Sequence, residues 1–323
     1  MTSERTSGAY AHALLQRHCR RLVELHGPVL ANDGTEPLHQ MRVSLRRLRS
    51  CLGQFGPCLR LPTAVDDSRL AKSVRRLGLA RDLDVLQERL DEGLLPQLPE
   101  QERQRLKPVR RQLTRERTLA QEHLEKTLQS SRHLELIAEL QGWLRQPAYS
   151  PLGEQPLHQW LPEWCLPGSA SLMLHPGWWL RSPEENVDTL HDLRKRIKTV
   201  RYQLENLQEL LDSRGRQWIS QLKEGQSLLG ELNDLSVLRK AIDDQLGSEL
   251  DDAVPQLGWL LEQHRQHCWN RWIDLSRPIT NRRERRRRLA GLLRQRSEGS
   301  HWGRLRHVLP VRHALIDKRT PLG

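Results

Sequence analysis

The chain has 323 residues, of which 37% are hydrophobic and 28% charged, with a mean hydropathy of -0.70 and a formal net charge of +12. No run of about 18 apolar residues occurs, which excludes a membrane-spanning helix, and the start "MTSERTSGAYAHALL" lacks the basic and apolar regions of a secretory signal. The expectation is a cytoplasmic, largely helical protein of one large or two modest domains, with an aliphatic core.

Residues 8 to 30 form a first amphipathic stretch, closed by the loop "ANDGTEP". A second helix runs from about Glu36 to Phe55 and stops at Gly56-Pro57, and a third covers about 65 to 91. Residues 99 to 146 give one or two more, with Pro108 a start or a kink. The texture then changes: 147 to 183 is rich in Pro, Gly and Trp and reads as a linker or insertion. "SPEE" predicts a restart in which Ser182 is the N-cap, Pro183 follows it and Glu185 completes a capping box. That helix is expected to reach about Asp212, with further helices over about 214 to 246 and 249 to 275. No alternating strand pattern is found. Five cysteines (19, 51, 58, 165 and 268) lie scattered without a C-x-x-C, as reduced thiols do.

The charge is unevenly placed. From Arg277 onward there are 14 Lys and Arg against 3 Asp and Glu, whereas the preceding residues carry 38 against 37. In that nearly neutral body an anion site depends on how charges are arranged, not on their number. Only eight of the 52 basic residues are Lys, and Arg offers the planar fork suited to phosphate.

Two stretches repeat one another: "LHQMRVSLRRLRS" at 38 to 50 and "LHDLRKRIKTVRYQ" from 190. At an offset of 152, His39 aligns with His191, Arg42 with Arg194, Arg46 with Lys198 and Arg49 with Arg201. Leu45, Leu48, Leu52 and Phe55 align with Ile197, Val200, Leu204 and Leu207, and the register still holds where "GLARDLDVL" meets "GELNDLSVL". Asp82 thereby matches Asp234. A gap-free register over two helices and their connection indicates internal duplication of a helical unit.

Relative to each His, the cations sit at +3, +7 and +10, within an arc of about 80° along roughly 15 Å of helix. The apolar positions fill another arc about 120° away. Like charges at these spacings repel and destabilise a free helix. For one helix, pairing of the cations with carboxylates on a neighbouring helix weighs more, with Asp82 and Asp234 the candidates. For two helices in register the balance turns toward a bound polyanion. Arranged around a pseudo-twofold axis they would line a basic groove, and linear polyphosphate has the repeating charge to fill it.

"EPLHQMRVSLRRLRSCLGQF" with "RDLDVL", and "LHDLRKRIKTVRYQLENL" with "LNDLSVL", resemble the paired signatures of the conserved histidine α-helical domain (CHAD) family. The resemblance spans about residues 8 to 275. It implies an all-α fold of two four-helix units related by pseudo-twofold symmetry, with a shared basic surface that binds inorganic polyphosphate. The expected units are about 8–146 and 184–276, flanked by the insertion at 147–183 and a basic tail at 277–323. By the same resemblance Arg42, Arg46, Arg49, Arg194, Lys198 and Arg201 contact phosphate, with His39 and His191 close by. Departures are the Trp-rich insertion, the tail, and the replacement of Arg81 and Asp84 by Asn233 and Ser236.

The remaining candidates carry less. Each histidine could equally position its helix or touch phosphate directly, the latter more strongly at low pH. Arg17, Arg20, Arg21, Lys72, Arg75, Arg76, Lys195 and Lys223 could widen the groove, although each alone reads as a surface charge. "HRQHC" at 264 to 268 has no second ligand cluster, so no metal is expected. The tryptophans at 143, 160, 164, 178 and 179 could stack bases but read better as anchors of the insertion. "RRERRRR" would bind any polyanion, nucleic acid included.

The expected function is therefore non-catalytic polyphosphate binding, with no cofactor and association with polyphosphate granules or polyphosphate-metabolising enzymes. The rivals are an enzyme acting on polyphosphate or triphosphate, for which neither an E-x-E-x-K strand nor a P-loop is present, and nucleic-acid binding led by the tail.

Overall fold

The computed structural model describes residues 5–65, 67–246 and 250–293, and the regular elements among them are helices. In chain order these are α1 (Ser7–Leu30), α2 (Thr35–Phe55), α3 (Asp67–Glu88), α4 (Glu100–Arg105), α5 (Lys107–Leu128) and α6 (Ser131–Arg145). They are followed by α7 (Leu161–Met173), α8 (Val187–Asn206), α9 (Ser213–Leu246), α10 (Leu250–Ala253), α11 (Pro255–Thr280) and α12 (Arg282–Leu292). None of the described helices is long and apolar enough to cross a membrane.

Each long helix forms because apolar residues recur at three- and four-residue spacing and can be buried on one side. On α2 these are Leu38, Met41, Leu45, Leu48 and Phe55, none more than 2% exposed. Each such side chain contributes about 1.5–3 kcal/mol on leaving water. The helix starts are capped: Thr6 accepts from the Ala9 amide at 3.2 Å, and Ser130 accepts from that of His133 at 3.4 Å. Before α2 the chain turns through Gly34 at φ 75°, a left-handed conformation that costs glycine least.

α1, α2, α3, α5 and α6 pack as one bundle, and α7, α8, α9, α11 and α12 as a second, with α2 against α8 between them. The helix boundaries follow the sequence offset: Thr35 and Val187 open α2 and α8, and Leu128 and Thr280 close α5 and α11. A charge contact also joins the bundles at the far end. Glu102 of α4 accepts from the backbone amides of Gln256 and Leu257 at 3.0 Å each, filling the free N–H groups at the start of α11.

Several sequence expectations shift. Pro108 stands in the first turn of α5, where its missing N–H costs nothing, so it starts a helix instead of kinking one. The segment 147–183 is not a bare linker. It contains α7, whose Leu161, Cys165, Leu172 and Met173 are buried, and α7 packs on both α8 and α12. Its first part is pinned to the other bundle by backbone bridges from Pro156 to Thr6 and from Tyr149 to Leu59. Gly153 sits so near the Cys58 carbonyl that a Cβ would lie 2.2 Å from it.

The restart after this segment uses a different cap. Asn186 accepts from the Thr189 amide at 2.9 Å and α8 begins at Val187. Glu185 instead bonds the amide of Arg181 at 2.6 Å, so the Ser182–Glu185 capping box does not form. Finally, the chain after Arg277 stays folded through α12, while residues 294–323, most of the expected tail, lie outside the described residues.

Candidate anion-binding site

α2 and α8 run side by side in the same direction, with matched positions facing. Toward their C-terminal ends, Asn206 donates to Gln54 at 3.0 Å and Gln54 donates to the Gln203 carbonyl at 3.2 Å. Two turns before Gln54 on α2, Arg47 meets Glu205 at 3.0 Å. Further toward the N-termini, Lys198 feels the charges of Arg46, Arg194 and Arg42, so that cations from both helices occupy one place.

Crowding and burial together lower the Lys198 pKa from its ordinary value to about 8, with burial the larger cause and Asp82 the opposing carboxylate. Asp82, on α3, is held by Arg42 at 2.8 Å. Arg42 is itself pushed down by burial and by Arg46, and its Nε is buried without a partner. Arg46, Arg194 and Lys198 form no salt bridge with any described carboxylate. On α9, Asp234 lies near enough to Arg194, Arg89 and Asp82 to feel all three, and burial is the main cause that raises its pKa. Four helices thus meet at one cluster of at least four cations with two flanking carboxylates.

The structure distributes the expected residues unequally. Arg42, Arg46, Arg194 and Lys198 come together. His191 is exposed beside Asn233, its pKa lowered by desolvation and by Lys195, Arg194 and Lys198, so it is neutral at pH 7 without an anion. His39 is also exposed and lies near Glu88. Arg49 is half-buried on α2.

Arg201 departs from the expectation. It is 7% exposed, binds Glu205 and Gln226, and stacks its guanidinium 4.2 Å from the Tyr202 ring centre. Its donors are used inside the protein, so it holds α8 and α9 together instead of facing the cation cluster.

Among the secondary candidates, Arg75 and Lys223 stand seven and eleven residues before Asp82 and Asp234, within about 20° of the same helix faces. Arg17 and Arg21 lie elsewhere. Arg17 acts on His18 together with Arg47, and Arg21 bonds Gln40 and Glu24. On α2 those contacts sit about 140–180° around from Arg42 and Arg49. Arg20, Lys72 and Lys195 are exposed and Arg76 is half-buried, and Lys195 acts on His191 beside the cluster.

One cation was missed. Arg89 lies where α3 widens into a π-helical turn (Arg89–Leu94) and acts on Asp234 of the other bundle. Its position, seven residues after Asp82 on the same face, was the available signal.

Among the described residues no cluster of three or more His, Cys, Asp or Glu could hold a metal ion. Half of the arginines of "RRERRRR" make contacts within the fold, while Arg282, Arg283 and Arg286 are exposed. Arg285 donates to the carbonyls of Ile279 and Thr280 at 3.0 and 2.7 Å, Arg287 pairs with Glu284, and Arg288 lies 5.3 Å above the Trp218 ring centre.

The comparisons agree on the fold. A CHAD domain family model matches residues 13–243. The crystal structure of the CHAD domain from the plant Ricinus communis superimposes with a TM-score of 0.56 at 22% identity, covering 92% of this chain and 96% of that one. PptA from Streptomyces chartreusis gives 0.54 at 18% identity, covering 82% and 99% respectively. No curated protein is significantly similar in sequence. With the family model spanning well over half the chain, the protein belongs to the CHAD domain family.

Proposed function

We propose that the chain binds inorganic polyphosphate, without chemistry of its own, in a basic groove between two duplicated helical units. The carrying observation is the position of Lys198 against Arg46, Arg42 and Arg194, where residues matched across the two halves concentrate positive charge. Such an arrangement is unfavourable in the free protein and is relieved by a polyanion, whose phosphates give charge-assisted bonds and whose counterions are released. The equal spacing of helix boundaries and the contact of matched residues support the duplication. Arg42, Arg46, Arg194 and Lys198 are the primary contacts, with Arg49, Arg75, Arg89 and Lys223 extending the track. Asp82 and Asp234 orient the arginines, and Arg201 braces α8.

A cytoplasmic protein of this kind serves as a polyphosphate-granule or enzyme-recruiting module. Nucleic-acid binding through the basic C-terminal region is the weaker reading, because Arg285, Arg287 and Arg288 of α12 are engaged by carbonyls, Glu284 and Trp218, which leaves Arg282, Arg283 and Arg286 as its exposed cations.

The test is titration of labelled long-chain polyphosphate against wild type and Arg46→Glu/Lys198→Glu over a salt series, with single-stranded RNA of equal length alongside. Polyphosphate preference in the wild type, together with loss of affinity and a shallower salt slope in the folded double variant, supports the groove. Equal binding of both polymers by both proteins removes it.

A further inference from the structure

The two halves differ where Arg81 and Asp84 are matched by Asn233 and Ser236. In the first half these positions are filled. Arg81 bonds Glu88 at 2.8 Å, and Asp84, 4% exposed, is gripped by Arg117 at 2.5 Å. In the second half Asn233 and Ser236 line a cavity of about 680 Å³ between α8, α9 and α11, larger than the pocket of about 410 Å³ beside Thr35 and Asp84 in the first half and within the ~300–1,000 Å³ of small-molecule sites.

Its inner wall is aliphatic, while Glu184, Asp188, Glu262, Arg239 and Arg265 stand among the other lining residues. Leu190, Leu229, Leu232, Leu235 and Leu261 line it from the core, each no more than 8% exposed. Val187 and Val237 stand at its mouth, 62% and 46% exposed among the described residues. Two wall arginines are already matched: Arg239 to Asp251 at 2.5 Å, and Arg265 to Glu262 at 2.6 Å. Arg194 is the wall cation with no salt bridge, and it also belongs to the cation cluster with Lys198. The cavity therefore opens directly onto the phosphate track, with His191, Asn233 and Ser236 supplying hydrogen-bonding edges at the junction.

We infer that this cavity receives the organic end of a phosphate ester whose phosphate chain lies on Arg194, Lys198, Arg46 and Arg42, the ligand class being a nucleoside polyphosphate. A purine or pyrimidine is flat, largely apolar on its faces and polar at its edges, which suits leucine walls with an amide and a hydroxyl at the rim. An unsubstituted phosphate chain would leave the cavity and its exposed valines uncovered. The inference rests on the polyphosphate reading and narrows it, since it makes the second half of the groove selective for an end group.

The experiment compares adenosine triphosphate, guanosine triphosphate and inorganic tripolyphosphate by calorimetric titration of the full chain at fixed salt without divalent metal. Tripolyphosphate carries at least as much charge, so charge alone favours it. The expected result is about tenfold tighter binding of a nucleoside triphosphate. Val237→Trp and, separately, Ser236→Trp, both at exposed positions, should erase that preference while leaving tripolyphosphate affinity within about twofold. Tripolyphosphate binding with no nucleoside preference overturns this inference alone. A preference that survives both tryptophans places the base elsewhere and overturns it too. Failure of every phosphate ligand to bind removes the groove itself.

Discussion

Gln54 and Asn206, 152 residues apart, are hydrogen-bonded to each other in the centre of the molecule, the Asn206 amide donating to the Gln54 carbonyl oxygen at 3.0 Å. They occupy matched positions on α2 and α8, and both are buried, at 7% and 5% exposure. Backbone carbonyls around the pair are drawn in as well. Gln54 donates to the carbonyls of Trp164 and Gln203 at 3.2 Å, and Tyr10 donates to the Asn206 carbonyl at 2.7 Å. This polar pair joins the two bundles at one end of the paired helices, opposite the cation cluster.

Replacing Gln54 by Leu leaves the Asn206 amide buried and unpaired, at a cost of about 1–3 kcal/mol. Gln54→Leu/Asn206→Leu should lose less than the sum of the two single losses, because neither amide then lacks its partner. Chemical denaturation of the three variants measures this, and strictly additive losses would mean that the pair does not act as a unit.

Lys198 gives a pH signature of defined sign. Its folded-state pKa of about 8 lies below the ordinary lysine value of 10.5. Between those values the unfolded chain keeps the proton and the folded one has released it, so the contribution of Lys198 to stability improves as pH rises from about 8 to 10.5. Below pH 8 the full penalty of a buried, crowded charge applies. Lys198→Met should therefore raise Tm by about 2 °C or more at pH 7, with the gain shrinking toward pH 10. The same substitution should weaken polyphosphate binding, which a purely structural lysine would not do. A Tm difference independent of pH would contradict the assigned cause.

His191 reports the anion. Burial and the cations Lys195, Arg194 and Lys198 hold its pKa below the usual histidine value, so in the ligand-free chain its protonation opposes folding as pH falls through that range. A phosphate chain on Arg194 and Lys198 reverses the local field and favours the imidazolium. Binding should take up protons and strengthen from about pH 7.5 to 5.5, and His191→Ala should flatten that dependence. NMR titration of the His191 ring with and without tripolyphosphate reads it directly. An unchanged ring pKa on binding would place the phosphates away from this histidine.

The C-terminal boundary yields a third kind of test. α12 packs on α7 and α9, its Leu292 is fully buried, and the Arg288 guanidinium covers Trp218. A chain ending at residue 293 keeps α11 and α12 whole and is the reference for the comparison. One ending at residue 276 removes the end of α11 and all of α12, uncovers part of the core, and should melt at least several degrees lower or fail to express in soluble form. Thermal melts of the two truncations decide this. Equal Tm values would show that α12 is dispensable.

Much of this arrangement was legible in the sequence because it is periodic. The offset linking His39 to His191 marks α2 and α8 as counterparts, and these two pack together, while the helix phases put Arg42 with Arg46 and Arg194 with Lys198 on matching stripes. The failures lie where periodicity is hidden. The helix α7 is hidden within a segment that reads as linker or insertion, because Pro162, Pro167 and Gly168 mask its pattern, although its Leu161 and Leu172 are buried and it packs on α8. Arg201 matched the stripe in spacing but not in fate, since Glu205 lies one turn away on its own helix and the first half has Gly53 at the corresponding position. A repeat predicts where a side chain starts. The carboxylate that captures it is set by local sequence.

That capture makes the last prediction. Glu205 is 9% exposed at its side chain and answers two cations, Arg201 within α8 and Arg47 from α2 at 3.0 Å. Removing only the carboxylate charge, as in Glu205→Gln, strands Arg201 at 9% side-chain exposure and should cost about 3–5 kcal/mol. Arg47, at 36% side-chain exposure, can turn to water, but Arg201 cannot without breaking its contacts with Gln226 and Tyr202. Replacing both buried partners, as in Arg201→Met/Glu205→Leu, should recover most of that loss, because no buried charge remains uncompensated. Polyphosphate affinity then separates the two roles of Arg201. If it braces α8, the refolded double variant binds within about twofold of wild type; a tenfold loss in a variant of restored stability would show that Arg201 contacts phosphate itself.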